Sequence, residues 1–147
     1  IEARANMLEA SFWAGVAFTR AYVGYVHAIA HNLGGHYGIP HGLANAVILP
    51  VMLESYGSAV YGSLSRLADL VGIKGANEEK KAKAFIAEIY AMNERMGIPK
   101  GFQQIQEKDI PIIVERALKE GNPLYPVPVI YGTEEMTAIV KSLMITE

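Results

Sequence analysis

The amino-acid sequence predicts an all-α fold, a helical bundle of about seven helices in one domain. Three observations lead to this prediction. No segment alternates apolar and polar residues as a half-buried strand does. Caps and glycine or proline breakers divide the 147 residues into pieces of helical length. The chain is 51% hydrophobic and 19% charged, a composition typical of a globular domain that buries a core of its own.

Local signals place the helices in chain order. Pro50 lies inside the third helix, where its missing amide hydrogen predicts a kink. Asn77 is the expected N-cap of the fifth helix, which Gly97 ends. Asp109 is the expected cap of the sixth helix, which ends at Gly121 before a proline-rich, extended connection. The predicted helices cover residues 3–18, 22–33, 42–56, 59–71, 78–96, 110–120 and 134–145.

Charged side chains are sparse in the first part of the chain. Residues 1–60 carry five of them and residues 61–147 carry the other 23, which predicts that the first third is buried. The uncharged run 21–53 is interrupted by histidines, glycines and a proline, so we interpret it as buried helices rather than a membrane span. The net charge of -2 offers no basic surface to nucleic acid. We therefore expect neither nucleic acid nor a membrane as a partner.

The termini and the cysteine content suggest where the protein works. The chain contains no cysteine, which excludes disulfides and thiolate metal ligands and fits a cytoplasmic location. Its first residues have no features of an export signal, and it begins with Ile1 rather than methionine. We expect a processed or truncated piece of a longer protein.

All four histidines of the chain fall within 15 residues, at His27, His31, His36 and His41. Residues four apart lie on one face of a helix, so His27 and His31 are predicted to project together. Neutral imidazole is a good ligand for iron, zinc, copper or nickel. The uncharged surroundings suggest that no other charge lies near this cluster.

A reversal of the chain is expected to bring the last histidine back to the first two. Gly34-Gly35 and Pro40 would turn the backbone, and His41 would then enter the next helix facing the same cavity. The spacing alone leaves three alternatives open: an enzymatic metal site, a helical module that binds haem or a transition metal without catalysis, and a bundle with a buried polar network and no ligand. Two histidines without a carboxylate would form an incomplete metal site.

Beyond this pattern, four longer stretches of the sequence form a recognisable set. They are Leu8-Glu-Ala-Ser-Phe-Trp-Ala-Gly-Val-Ala-Phe18, Gly24-Tyr-Val-His-Ala-Ile-Ala-His31 with Leu33-Gly34, Pro40-His-Gly42 and Asn45-Ala-Val-Ile-Leu-Pro50. In these stretches the chain resembles the iron-containing (group III) alcohol dehydrogenases. Weaker agreement continues through Met96-Gly-Ile-Pro99 and Asn122-Pro123.

The resemblance implies a fold, cofactors and partners. Residues 1–147 would be the helical, metal-binding C-terminal domain, of the dehydroquinate synthase-like type, truncated at its N-terminal side. The α/β domain that binds NAD(P) would be absent from this chain and would be its partner. The whole enzyme would interconvert small alcohols with aldehydes or ketones, using Fe²⁺ or Zn²⁺, and is expected to form a homo-oligomer. The fragment alone would be inactive.

The same resemblance assigns roles to single residues. His27 and His41 would be metal ligands, while the family's aspartate and remaining histidine ligand precede the stretch where this chain begins. His31 would be the catalytic residue that faces the nicotinamide and relays a proton. Phe18 would line the channel for substrate and cofactor. His36 matches no family histidine, and we interpret it as a bystander rather than a residue that supports the ligands or a substitute ligand.

Overall fold

The computed structural model describes residues 1–145, and this part of the chain is helical as predicted. One turn of 3-10 helix at Glu107–Asp109 precedes α6, and a single bridge between Phe102 and Met144 is the only β pairing among the described residues. The seven α-helices are α1 (Glu2–Ala21), α2 (Tyr25–Tyr37), α3 (His41–Tyr56), α4 (Ser58–Leu70), α5 (Glu78–Arg95), α6 (Ile110–Gly121) and α7 (Thr133–Ser142).

Helix α2 packs against α3 and α6. Tyr25, Ile29 and Leu33 recur every four residues and are completely buried, so one face of α2 belongs to the core. Helices α4 and α5 pack against each other, and α7 packs on α6. None of the helices within residues 1–145 is long and apolar enough to cross a membrane.

The first helix contradicts the expectation that the first third of the chain is buried. No residue of α1 is buried, and α1 makes at most marginal contacts with the other helices of residues 1–145. A low density of charge indicates an apolar surface but does not supply the element that would cover it. The large apolar side chains of α1 are exposed by 47% to 75%: Met7, Leu8, Phe12, Trp13, Val16 and Phe18.

One of the two predicted N-cap residues caps its helix, and the other does not. The side chain of Asn77 accepts a hydrogen bond from the backbone amide of Lys80 at 2.9 Å, which confirms the predicted cap of α5. Asp109 was a wrong prediction, because its side chain makes no capping bond. The preceding 3-10 turn already gives Asp109 helical backbone angles, φ -93° and ψ -12°, whereas a capping residue is extended. Its Oδ2 atom instead accepts from the hydroxyl of Tyr37 at 3.0 Å.

The chain reversal after α2 also differs from the prediction. Gly34 and Gly35 remain helical, and α2 continues to Tyr37. The backbone turns at Gly38, which has φ 69° and ψ 19°, the left-handed conformation that glycine adopts without a steric penalty at the end of a helix. Helix α3 then starts at His41 and runs through Pro50 to Tyr56.

Hydrogen bonds from Tyr25 fasten the irregular connection after α6 to the core. The Tyr25 hydroxyl donates to Oδ1 of Asn122 at 2.6 Å and accepts from the backbone amide of Tyr131 at 3.1 Å. The side-chain amide of Asn122 donates to the carbonyl oxygen of Tyr131 at 3.3 Å. The rings of Tyr25 and Tyr131 stack with 5.5 Å between their centroids. Both ends of the connection are therefore fixed against α2.

This packing predicts that Gly121→Ala destabilises the fold. A β-carbon at Gly121 would lie 2.5 Å from Cε1 of Tyr25, and that ring is held by stacking and two hydrogen bonds. We expect the free energy of unfolding in urea to fall by about 1–3 kcal/mol, as in other overpacked cores. Gly35→Ala is the matched control, because a β-carbon there meets nothing within 4 Å. Equal stability of the two variants would contradict the prediction.

Candidate metal and catalytic site

Three of the four histidines converge on one side of α2. The ring centroids of His27 and His31 are 5.8 Å apart, those of His27 and His41 are 5.3 Å apart, and those of His31 and His41 are 5.2 Å apart. Helix α2 supplies the first two rings, and the third belongs to the first residue of α3. The structure thus brings together the three histidines that the sequence singled out.

Asn45 contacts His41 one helical turn further along α3. Its side-chain nitrogen lies 3.0 Å from Nε2 of His41 and donates to the His41 carbonyl oxygen at 2.9 Å. An amide that donates to Nε2 leaves this atom as an acceptor, which means that it presents a lone pair. The Oδ1 atom of Asn45 is buried without a hydrogen-bond partner among the described residues.

Burial and electrostatics favour the neutral form of the His27 ring. Burial, followed by the neighbouring charges of His41 and His31, holds the pKa of His27 below its usual value, and the Glu120 carboxylate opposes this effect. A neutral imidazole is the form that binds a metal ion. The donors therefore fit a divalent transition metal. Within residues 1–145, however, no group of three or more histidine or carboxylate side chains is arranged to hold one, so these donors fit only part of a coordination sphere.

Glu120 is a site residue that the sequence analysis missed. Its Oε1 atom lies 2.7 Å from Nδ1 of His31 and accepts a hydrogen bond from the Tyr125 hydroxyl at 2.9 Å. The expectation that no other charge lies near the histidines was therefore wrong. The apolar spacing of α6 places Glu120 three residues after buried Ala117, at the border of an apolar helix face, but that spacing does not identify α2 as the neighbouring helix.

Phe18 and His36 lie in different surroundings. Phe18 borders a cavity of about 570 Å³ that is also lined by His27, His31, His41 and Tyr125. Its side chain is 54% exposed. His36 is outside the cluster, with its Nε2 atom 3.4 Å from Oδ2 of Asp109. Nine residues after His27, it projects from the opposite side of α2.

Comparisons with known proteins point to one family. A family model described as the Fe-containing alcohol dehydrogenase family, C-terminal, matches residues 1–144. The 1,3-propanediol dehydrogenase of Klebsiella pneumoniae is 42% identical over 126 residues, which cover 83% of this chain and 33% of that protein. Alcohol dehydrogenase 4 of Saccharomyces cerevisiae (strain YJM789) is 35% identical over 142 residues, covering 95% and 36%. The chain spans about a third of the length of these relatives.

Solved structures agree with the helical fold. The crystal structure of a 1,3-propanediol oxidoreductase has a TM-score of 0.90 to this chain at 37% sequence identity, covering 97% of this chain and 38% of the other. Alcohol dehydrogenase from Oenococcus oeni has a TM-score of 0.88 at 34% identity, with the same coverage of 97% and 38%. Residues 1–145 therefore have the fold of the corresponding region in these proteins.

The lowered pKa of His27 can be tested by NMR titration of the histidine ring protons. His41→Ala removes a titratable neighbour that disfavours protonation of His27 and reduces the burial of His27, so we expect the midpoint of His27 to rise towards its usual value of about 6.5. His36→Ala should leave the midpoint unchanged, because His36 is outside the cluster. An unchanged midpoint in His41→Ala, or the same rise in both variants, would show that the cluster geometry is incorrect.

Proposed function

The chain belongs to the Fe-containing alcohol dehydrogenase family, and from this premise we propose that it is the metal-binding, helical part of an NAD(P)-dependent enzyme. That enzyme interconverts alcohols with aldehydes or ketones. The observation that carries the proposal is the convergence of His27, His31 and His41 on one cavity. The lowered pKa of His27 supports it, because a metal ligand must be free of its proton.

In this proposal His27 and His41 bind the metal ion, which is Fe²⁺ or Zn²⁺. The lone pair of His41 Nε2 is held by Asn45, and release of this contact frees it for the cation. The aspartate and histidine that complete the site in the family lie on a part of the enzyme outside these 147 residues. The domain that binds the dinucleotide is the natural partner of this chain. Contact with it, or with another subunit of a homo-oligomer, would cover the exposed apolar side chains of α1.

In the proposed reaction the cofactors and the residues of this chain have different roles. A bound divalent cation supplies Lewis acidity towards the alcohol oxygen. During alcohol oxidation His31 accepts the hydroxyl proton, and a nicotinamide held by the other domain would take up the hydride. His31 is suited to this role because its side chain is 45% exposed, and a proton that it accepts can pass on to solvent. Phe18 limits access of water to the cavity and contacts the apolar part of the substrate and cofactor.

The roles of the histidines predict a pattern of variants in the enzyme that includes the cofactor-binding domain. His27→Ala and His41→Ala should lose both bound metal and turnover, because each removes a ligand. His31→Ala should keep the metal and lose about 10²–10⁴-fold in kcat, the usual contribution of a proton-transfer residue. Elemental analysis and steady-state kinetics measure the two quantities. His36→Ala is the control and should change neither. A metal-free His31→Ala enzyme would mean that the ligand and relay assignments are reversed.

The isolated 147-residue chain should bind divalent metal weakly and oxidise no alcohol with NAD⁺ or NADP⁺. Half of the proposed ligands and the dinucleotide site are outside it, and affinity rests on the full ligand set. Titration calorimetry with Zn²⁺ and absorbance of the reduced nicotinamide provide the measurements. The residual Zn²⁺ binding should disappear in His27→Ala and persist in His36→Ala. Turnover by the chain alone would contradict the proposal that it is an incomplete catalytic unit.

A further inference from the structure

We propose that Glu120 is a positioning residue that holds the proton of neutral His31 on Nδ1 and thereby makes Nε2 the atom that accepts the substrate proton. The catalytic part of this inference rests on the proposed function. The protonation pattern of the ring does not, because it is a property of this chain without metal, cofactor or substrate.

The contact between the two side chains determines which nitrogen carries the proton. Oε1 of Glu120 lies 2.7 Å from Nδ1 of His31, the distance of a charge-assisted hydrogen bond. A carboxylate has no hydrogen to donate. The hydrogen in this bond must therefore be on Nδ1, and in the neutral ring Nε2 is left with its lone pair. A histidine in water favours the opposite tautomer, so the preference is imposed by the fold.

Tyr125 fixes the carboxylate from a second side. Its hydroxyl donates to the same Oε1 atom at 2.9 Å. Burial and then the hydrogen bond to Glu120 raise the pKa of Tyr125, so the hydroxyl keeps its proton. Two contacts on one oxygen, from Nδ1 of His31 and the hydroxyl of Tyr125, orient the carboxylate. The backbone next to Glu120 is closely packed, because a β-carbon at Gly121 would lie 2.5 Å from Cε1 of the buried Tyr25 ring.

The arrangement matches what proton transfer from an alcohol requires. As the O–H bond of the alcohol breaks, a new N–H bond forms at Nε2 of His31, and the electron pair of the C–H bond leaves as hydride to the nicotinamide. The ring becomes an imidazolium whose charge the Glu120 carboxylate stabilises. The hydrogen bond also restricts rotation of the imidazole, which orients its free nitrogen.

Nitrogen NMR of the ¹⁵N-histidine-labelled chain tests the inference, at a pH where the imidazoles are neutral. In the wild-type chain we expect Nδ1 of His31 to have a pyrrole-type shift and Nε2 a pyridine-type shift. Glu120→Ala removes the acceptor and should reverse the pattern or average the two shifts. Tyr125→Phe removes the neighbouring donor but keeps the carboxylate, so the wild-type pattern should persist. Glu115→Ala, an exposed glutamate on the same helix, is the matched control for the loss of a carboxylate and should also keep it.

Two results would overturn the inference. One is a pyridine-type Nδ1 on His31 in the wild-type chain, a result that needs no variant to fold. The other is an unchanged tautomer in a folded Glu120→Ala chain. In the enzyme with its cofactor domain, Glu120→Ala should keep its metal and lose about 10–100-fold in kcat, as is typical when the partner of a functional histidine is removed. If the wild-type enzyme binds metal and is active but His31 lacks the Nδ1–H tautomer, the inference about Glu120 is rejected and the proposed function stands. If the wild-type enzyme is inactive but His31 has the Nδ1–H tautomer, only the proposed function is rejected.

Discussion

The helical period of α2 couples the core of this protein to its candidate site. Tyr25, Ile29 and Leu33 face the interior and are fully buried. His27 follows Tyr25 by two residues, and His31 follows Ile29 by two residues. Two residues correspond to about 200° around the helix axis, so the histidines lie on the other side of α2. Because packing on one side fixes the rotation of the helix, it also fixes the direction of the histidines on the other. Three neighbouring segments contribute the other residues of the site: α3 supplies His41, α6 supplies Glu120, and the connection after α6 supplies Tyr125.

The buried polar contacts of Tyr25 extend this constraint to the rest of the site. The connection from Asn122 to Tyr131 has no regular secondary structure, and chain entropy favours its detachment. Its hydrogen bonds to the Tyr25 hydroxyl are made away from water, where an unsatisfied polar group is costly. Detachment would therefore leave several groups without partners. The same contacts keep Tyr125 close enough to reach Glu120, so a core tyrosine supports a hydrogen bond at the surface of the cavity.

Interactions that are local in sequence were predictable, and those that depend on tertiary placement were not. The apolar period and the breakers give the seven helices, and the four-residue spacing places His27 beside His31. The reversal was assigned to Gly34-Gly35 because the sequence contains several glycines there, and only the helix end shows that Gly38 takes the left-handed conformation. Glu120 is 89 residues from His31, and no spacing rule connects them.

The distribution of charged residues predicted burial correctly for some helices and incorrectly for another. The low charge of residues 1–60 correctly indicated the buried faces of α2 and α3, but it was misleading for α1, whose large apolar side chains are exposed in the described part of the chain. A low content of charged residues indicates that a surface is apolar and is stabilised by contact with another apolar surface. It does not report whether that contact is made within the same 147 residues.

The two-sided character of α2 has a consequence for how the sequence of this region can diverge. Inserting or deleting one residue between Tyr25 and His31 would rotate every later side chain by about 100°, turning imidazoles towards the interior and aliphatic groups towards the cavity. Point substitutions can alter one side of the helix and leave the other intact, but a change of length alters both at once. Homologous chains that keep this site should therefore vary here by replacement and collect their length differences in the loops, for example between α4 and α5 or after Gly121.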